Sequence, residues 1–275
     1  MIEAIETKII PGAERKLKNR ASLGQTVRNT LTMAYRGVLR MWRTPEQLSD
    51  VTLQPIIFTI MFTYIFGGAI AGNIQAYLPI LIAGILAMTI LTGGVVTTGV
   101  QLSEDMDKGV FNRFKALPIA RVAPLAGALL ADTIRYAIAV TIVFVTGYII
   151  GFRPGAGLSG VIESGLLIIF FAWCLSWVFA FFGVIARTAS TVQGVSLLIL
   201  LPLTFLSNAF VPVKTMPSWL QPIVNANPVS HLISATRQLY TFGTIGNDFW
   251  MSLLGAGIIV AIFAPLTVRA YMRKA

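Results

Sequence analysis

Few residues in this 275-residue sequence could carry out bond chemistry. It holds one histidine, His231, and one cysteine, Cys174, which excludes the usual zinc sites and the two-histidine metalloprotease motif. Hydrolysis inside a membrane would need a serine or an aspartate paired with a base, and the only acid that the long apolar stretches offer is essentially Asp132, at an edge. The sequence therefore predicts no catalytic residue, no metal ligand and no cofactor bound by this chain.

Two further observations narrow the chemistry. Asp132 and Arg135 are three residues apart, so on a helix they share a face and are predicted to pair, whereas a proton relay would need acids deeper in the spans than Glu163. No lysine follows a glycine, which excludes the phosphate-binding loop GxxxxGK[ST]. Any use of ATP and magnesium is therefore expected to belong to a partner subunit.

The segment 104–116 has the pattern of a short amphipathic helix, which Pro118 would end. Acids lie near its amino end and bases toward its carboxyl end, as the helix macrodipole favours. The apolar stripe is Met106, Val110, Phe114 and Leu117, and the charged residues are Glu104, Asp105, Asp107, Lys108, Arg113 and Lys115. Spacing alone leaves open whether this helix passes on a push from a partner or only connects two spans.

A second long connection, 212–248, cannot be one spanning helix because prolines interrupt its apolar residues. These prolines are Pro212, Pro217, Pro222 and Pro228. Irregular backbone at membrane depth needs protein or water around it, which favours a re-entrant cap over an ordinary outer loop. The nearby polar residues Asn208, Asn225, Asn227 and His231 are then predicted to satisfy backbone groups.

Composition places these segments in a membrane protein, since 56% of the residues are hydrophobic and 12% are charged. Six stretches are long and apolar enough to span: 52–73, 77–102, 133–152, 165–186, 191–211 and 249–268. With both termini placed inside, 18 of the 21 Lys and Arg residues fall on the cytoplasmic side. The net charge of +10 is therefore an orientation signal and does not indicate a nucleic-acid partner.

The amino-terminal residues 1–50 are predicted to form a cytoplasmic tail with an interfacial amphipathic helix, followed by one membrane domain over 51–275. The helix would run over about 25–41, and Pro45 would end or kink it. One face carries Val27, Leu31, Ala34, Tyr35, Val38 and Trp42, and the other carries Arg36, Arg40 and Arg43. The helix would anchor to lipid headgroups, and it could also touch a cytoplasmic partner.

Aromatic residues could line a path for an amphipathic solute, although most aromatic residues in spans pack or face lipid. The candidates are Phe62, Phe66, Phe170, Trp173 and Trp177. The small residues Ala180, Gly183 and Ala186 recur at helical spacing and predict a close contact between helices.

Two motifs resemble those of the ABC type-2 permeases, in particular their daunorubicin/doxorubicin-resistance branch. The first is DKGVFNRFKALPIAR at 107–121, followed by LAG at 125–127 and LAD at 130–132. The second comprises LSNAFVP at 206–212, MPSWL at 216–220, NPV at 227–229 and Arg237. The resemblance covers about residues 45–272. The chain departs from the family at Asp107 and Val110, where the family often has glutamate and threonine.

This resemblance implies a six-span permease that forms a homodimer or heterodimer and docks two nucleotide-binding subunits, whose ATP binding drives export. It assigns a coupling helix to Glu104, Asp107, Gly109, Arg113, Phe114, Leu117 and Pro118. It also assigns a re-entrant outer cap to Asn208, Pro212, Pro217, Trp219, Asn227 and Pro228. The implied cargo is a hydrophobic or amphipathic compound such as a drug or antibiotic. Alternatives are a lipid or glycoconjugate exporter and a non-transporting membrane scaffold or sensor.

Overall fold

A computed structural model describes residues 22–109 and 122–274, and every regular element within these two ranges is helical. The long helices are α1 (Leu23–Arg43), α2 (Pro45–Ala71), α3 (Ile74–Thr89), α4 (Val96–Asp107), α5 (Ala123–Ile150) and α6 (Gly157–Ile185). They are followed by α7 (Ala189–Phe205), the short α8 (Gln221–Ala226), α9 (Pro228–Phe242) and α10 (Asn247–Lys274). The predicted all-α class is confirmed for the described residues.

Five helices are long and apolar enough to cross a membrane: α2, the continuous Ile74–Asp107 unit, α5, α6 and α10. The predicted fifth span, 191–211, is wrong in its extent, because α7 ends at Phe205 and has 17 residues. Pro202 lies in the last turn of α7, and the chain leaves helical geometry at Leu206. The other spanning helices begin before the predicted spans, and α2, α5 and α6 end one or two residues short of the predicted ends.

Local sequence explains most helix boundaries. Pro45 is the first residue of α2, as the predicted break after α1 requires. Gly72 has a φ of +76° after α2, and the Asn73 side chain then accepts a hydrogen bond from Ala76 N at 2.7 Å to cap α3. Gly151, with a φ of +123°, ends α5. These turns reverse the chain between long antiparallel helices.

The Ile74–Asp107 unit lies at the centre of the molecule and is buried on most of its faces. A π-helical segment, Ile90–Val95, interrupts it between α3 and α4. A Cβ at Gly94 would lie 2.6 Å from Tyr136 Cε1 of α5, so glycine lets the ring pack on the backbone there. After the π-helical segment, α4 approaches α6 closely, since a Cβ at Gly183 would lie 2.3 Å from Gly99 O. The close contact predicted at Gly183 is confirmed.

Candidate functional site

The end of the molecule from which α4 enters the connection 108–122, here called the loop end, carries an ion-pair cluster. Arg40 of α1 donates to Asp105 Oδ1 at 2.9 Å and to Glu104 Oε2 at 3.2 Å. Lys108 Nζ also contacts Glu104 Oε2, at 3.1 Å. The side chains are about one-third exposed, except that of Lys108, which is more exposed. α1 is therefore attached to the last turn of α4.

The same helix packs against the start of α5 on the other side of that connection. A Cβ at Gly127 would lie 2.4 Å from Met33 Cβ, and a Cβ at Gly37 would lie 2.7 Å from Ala131 Cβ. Glycine at these two positions lets the helix backbones approach. α1 thus contacts both the helix that enters the 108–122 connection and the helix that leaves it. The sequence offered a signal in the arginine face of α1 and the paired acids at 104 and 105.

The predicted coupling residues divide between described and undescribed parts of the chain. Glu104 and Asp107 lie in the last turn of α4, which begins at Val96, so the prediction of a separate helix starting at Glu104 is wrong. Gly109 has a φ of +65° and ends α4, because an α-helix cannot continue through that conformation. The remaining residues, Arg113, Phe114, Leu117 and Pro118, lie outside the described residues.

A buried ion pair lies in the bundle near the loop end. Arg135 Nη1 is 2.7 Å from Asp132 Oδ1, and these side chains are 5% and 2% exposed. The Thr98 hydroxyl of α4 donates to Asp132 Oδ2 at 2.6 Å and lies 3.4 Å from the Tyr136 hydroxyl. The predicted pairing of Asp132 with Arg135 is confirmed, and the additional polar link to α4 was not predicted. This cluster joins α4 to α5 inside the bundle.

At the opposite end, the chain between α7 and α9 is fixed by polar side chains. Asn227 Nδ2 donates to Leu203 O at 2.7 Å and to Leu206 O at 2.8 Å, while its Oδ1 accepts from Val229 N at 2.9 Å. The prediction that Asn227 satisfies backbone groups is confirmed. Asn208 instead donates to the Ser234 hydroxyl at 2.7 Å. His231 Nδ1 lies 2.7 Å from Asp248 Oδ1, so it contacts a side chain.

This segment, residues 206–242, rests on the amino-terminal half of α3. The Tyr77 hydroxyl donates to Phe210 O at 3.1 Å, and the Tyr240 hydroxyl donates to Pro79 O. Arg237 Nη2 donates to Ile80 O at 3.1 Å and to Asn208 O at 3.2 Å. A Cβ at Gly84 would lie 2.0 Å from Ala209 O, so only glycine leaves room for the backbone of Ala209 beside it.

The predicted cap residues differ in exposure. Asn208 and Asn227 are buried, Pro212 and Pro228 are half-buried, and Pro217 and Trp219 are exposed. On α9, Leu232, Leu239 and Tyr240 are fully buried against the bundle core. The segment is therefore a packed part of the bundle on its α9 side, with an exposed face around Trp219.

The aromatic residues proposed as a lining do not form one group. Phe62 lies 5.4 Å from Phe66 and stacks on Phe210 at 4.8 Å between ring centroids. Trp173 and Trp177 contact each other at 5.9 Å. Phe170 is exposed on α6. Phe62 and Phe66 therefore pack beside the 206–242 segment, and the two tryptophans form a separate pair on α6.

The contact between α1 and α4 makes a testable prediction. Replacing Arg40 by Gln should lower the melting temperature by about 2–4 °C, because partly exposed ion pairs contribute about 1 kcal/mol or less each. Arg43→Gln on the same helix is the matched control, since Arg43 forms no ion pair within the described part of the chain. Thermal melting of the detergent-purified variants measures the effect. Equal melting temperatures for the two variants would show that the cluster does not stabilise the fold.

One buried helical unit joins the two ends of the molecule. The Ile74–Asp107 unit runs from the loop end to the 206–242 segment, and its 34 residues span about 50 Å. Within the described residues, no group of three or more His, Cys, Asp or Glu side chains is placed to hold a metal ion. The buried unit contacts α1 at the loop end and the 206–242 segment at the other end.

Comparison with known proteins agrees with this arrangement. The family model described as "ABC-2 type transporter" matches residues 28–241. A daunorubicin resistance ABC transporter permease protein of Streptomyces coeruleorubidus is 42% identical over 258 residues, covering 93% of this chain and 90% of the relative. A doxorubicin resistance ABC transporter permease protein of Mycobacterium tuberculosis is 28% identical over 215 residues, covering 73% of each chain.

These matches are not confined to one motif. The family model includes α1, the loop end, the buried pair of Asp132 and Arg135, and the 206–242 segment almost to its end. The chain is thus a membrane protein built as an ABC permease, and it belongs to the ABC-2 type transporter family.

Proposed function

We propose that this chain is the permease subunit of an ATP-driven exporter that moves hydrophobic or amphipathic compounds, drugs or antibiotics among them, out across the cell membrane. The observation that carries this proposal is the 42% identity, over 93% of the chain, to a permease named for daunorubicin resistance. ATP and magnesium would be used by a separate nucleotide-binding subunit, present in two copies. A second permease subunit, identical or related, would complete the pathway.

The proposed topology has six spans with both termini in the cytoplasm. It includes α7 as the fifth span in chain order, and its 17 residues rise about 26 Å, somewhat less than the hydrocarbon core of about 30 Å. The 206–242 segment would complete the crossing as a re-entrant cap. Burial of α9 and the backbone contacts of Asn227 and Arg237 support this, because backbone at membrane depth needs internal partners.

Coupling would start at the loop end. Closure of the nucleotide-binding subunits would push the 108–122 connection, and α1 contacts both helices that flank this connection, α4 and α5. Movement of α4 would pass along the Ile74–Asp107 unit to the 206–242 segment, where Tyr77 contacts Phe210 O. The π-helical segment Ile90–Val95 divides this unit, and such segments are common at functional sites. It is the natural position for the unit to bend.

The second permease subunit needs an apolar contact face. α2 and α7 both present exposed large apolar side chains, and their helices carry little charge. These side chains include Ile57, Tyr64 and Ile65 on α2 and Leu198, Leu201 and Phe205 on α7. A pathway between two such faces would suit a hydrophobic or amphipathic cargo.

Efflux measurements with defined subunits test the proposal. Cells expressing the chain together with an ABC ATPase subunit should lose a fluorescent anthracycline in an energy-dependent way, while cells expressing either subunit alone should retain it. An ATPase subunit with its phosphate-binding lysine replaced is the matched control. Efflux by the permease alone would contradict the proposal, and ATP-dependent movement of labelled lipid without anthracycline efflux would favour the lipid exporter.

A further inference from the structure

An apolar groove opens between α5 and α6 in the half of the bundle away from the loop end, with a volume of about 800 Å³. Its floor is formed by small residues such as Ala137 and Gly165, and its rims carry Val145, Ile149 and Leu166. These three rim side chains are between 52% and 79% exposed. The groove therefore faces outward from the bundle and is separate from the loop end. No residue of the 206–242 segment lines it, although two lining residues, Phe144 and Phe152, contact Tyr240 of that segment.

The length of the groove matches one leaflet of a bilayer. On α5 it runs from Ala137 to Ile149, which is a rise of about 18 Å along the helix. Half of the hydrocarbon core of a bilayer is about 15 Å thick. The groove also runs along the helix axes, as α5 and α6 are antiparallel neighbours joined by a short connection. A single acyl chain lying parallel to the helices therefore fits both its length and its apolar lining.

A cation closes the end of the groove where the chain passes from α5 to α6. Arg153 Nη1 donates to Tyr148 O at 2.8 Å and to Phe152 O at 2.9 Å, and the guanidinium carbon lies 4.1 Å from the centre of the Tyr148 ring. Arg153 is the charged residue among the described residues that line the groove. The contacts fix the guanidinium in place while its Nε and Nη2 hydrogens remain available to an acceptor.

The apolar lining and the Arg153 guanidinium together determine which class of molecule fits the groove. A guanidinium offers paired donors that match the oxygens of a phosphate, and it repels a cationic amphiphile. Arg153 also lies at the depth where a headgroup would be found, about one leaflet from the groove's inner end at Ala137.

We propose that this groove binds an anionic phospholipid, with one acyl chain between α5 and α6 and its phosphate against Arg153. The lipid fills the space where the two helices diverge, so it stabilises the folded chain. This inference does not depend on which compound the protein exports. It adds a structural lipid site to the chain, on a face that neither α2 nor α7 contributes to.

The experiment compares lipid retention and thermal melting of the full-length chain in mixed micelles of palmitoyl-oleoyl phosphatidylglycerol or phosphatidylcholine. Arg153→Gln should reduce the preference for phosphatidylglycerol about fivefold, since one Arg near a membrane surface contributes about 1 kcal/mol toward anionic lipid. Lys214→Gln, a neutralisation at the same end of the molecule but outside the groove, is the control and should keep the wild-type preference. Thr141→Phe fills the groove and should reduce retention of both lipids.

Two results would overturn the proposal. One is an equal phosphatidylglycerol preference in the Arg153→Gln and Lys214→Gln variants, which would show that Arg153 does not recognise the headgroup. The other is a change of oligomeric mass in the Thr141→Phe variant at unchanged lipid retention, which would show that the groove is a protein interface. Loss of lipid preference in Arg153→Gln together with wild-type oligomeric mass in Thr141→Phe supports the lipid site.

Discussion

Replacing Arg135 by Met should strongly destabilise the protein, by about 3–5 kcal/mol, because it leaves the Asp132 carboxylate buried without its cation. Asp132 is 2% exposed, and its second oxygen accepts from the Thr98 hydroxyl at 2.6 Å. One hydroxyl donor cannot replace a guanidinium at 2.7 Å. The variant should therefore accumulate poorly in membranes and melt at a much lower temperature than the wild-type chain.

A double replacement separates the loss of the pair from the burial of an unpaired charge. Asp132→Leu combined with Arg135→Met removes both charges, and buried pairs replaced by apolar residues of similar size are often neutral or stabilising. Thr98 keeps the Tyr136 hydroxyl, 3.4 Å away, as a partner. Arg269→Met on the exposed face of α10 is the matched single control. Melting temperatures of these three variants and the wild-type chain test this, and a double variant as unstable as Arg135→Met would show that the pair itself stabilises the bundle.

Hydropathy predicted the spanning helices well because the requirement for a long apolar stretch is local. The predicted stretches 133–152, 165–186 and 249–268 all lie within α5, α6 and α10, apart from one or two residues at their ends. Their true starts are earlier, because a helix can continue beyond the residues that lie in the hydrocarbon core. The stretch 191–211 failed for a local reason that hydropathy also misses: apolar residues continue after α7, but the helix does not.

The contacts of α1 could be predicted only in part. Its apolar stripe is largely exposed, with Val27, Leu31 and Tyr35 more than half exposed, as an interfacial helix requires. Its packing on α5 uses one edge of that stripe, at Ala34, together with the adjoining Met41, and both residues are buried. Helical periodicity identifies both faces of the helix, but it contains no information on which residues 90 or more positions away approach them. The same limit hid the contact of Arg40 with Glu104 and Asp105.

The π-helical segment and the packing of residues 206–242 against α3 could not be predicted from the sequence, for the same reason. Gly94 is glycine because the Tyr136 ring occupies the space of a side chain, and Gly84 is glycine because Ala209 O does. Each relation joins residues more than 40 positions apart. By contrast, the pairing of Asp132 with Arg135 was predictable because the two residues are close in sequence. The prediction that Asn227 satisfies backbone groups was possible because the proline-interrupted backbone around it needs polar partners.

The coupling assignment makes the prediction with the largest effect on function: Phe114→Asp should abolish export and weaken association with the nucleotide-binding subunit. Phe114 lies outside the described residues, so its role follows from the apolar pattern and the family resemblance. Because α4 ends before Gly109, Met106 belongs to α4, and the predicted stripe cannot run as one helix from Met106 to Phe114. The other predicted stripe residues, Val110, Phe114 and Leu117, lie outside the described residues. A charge within that stripe would cost several kcal/mol where it is buried by a partner.

The fold itself should tolerate this change, which separates coupling from stability. α4 and α5 are held on either side of the connection by Arg40 and by the close packing at Gly127, and neither contact involves Phe114. Asn112→Asp adds the same charge off the stripe and is the matched control, while Arg113→Glu should impair export only partially because exposed ion pairs contribute about 1 kcal/mol or less. Anthracycline efflux and co-purification of the ATPase subunit at equal membrane abundance measure the three variants. Intact efflux and co-purification in Phe114→Asp would mean that the connection only joins two spans, and the coupling assignment would have to be withdrawn.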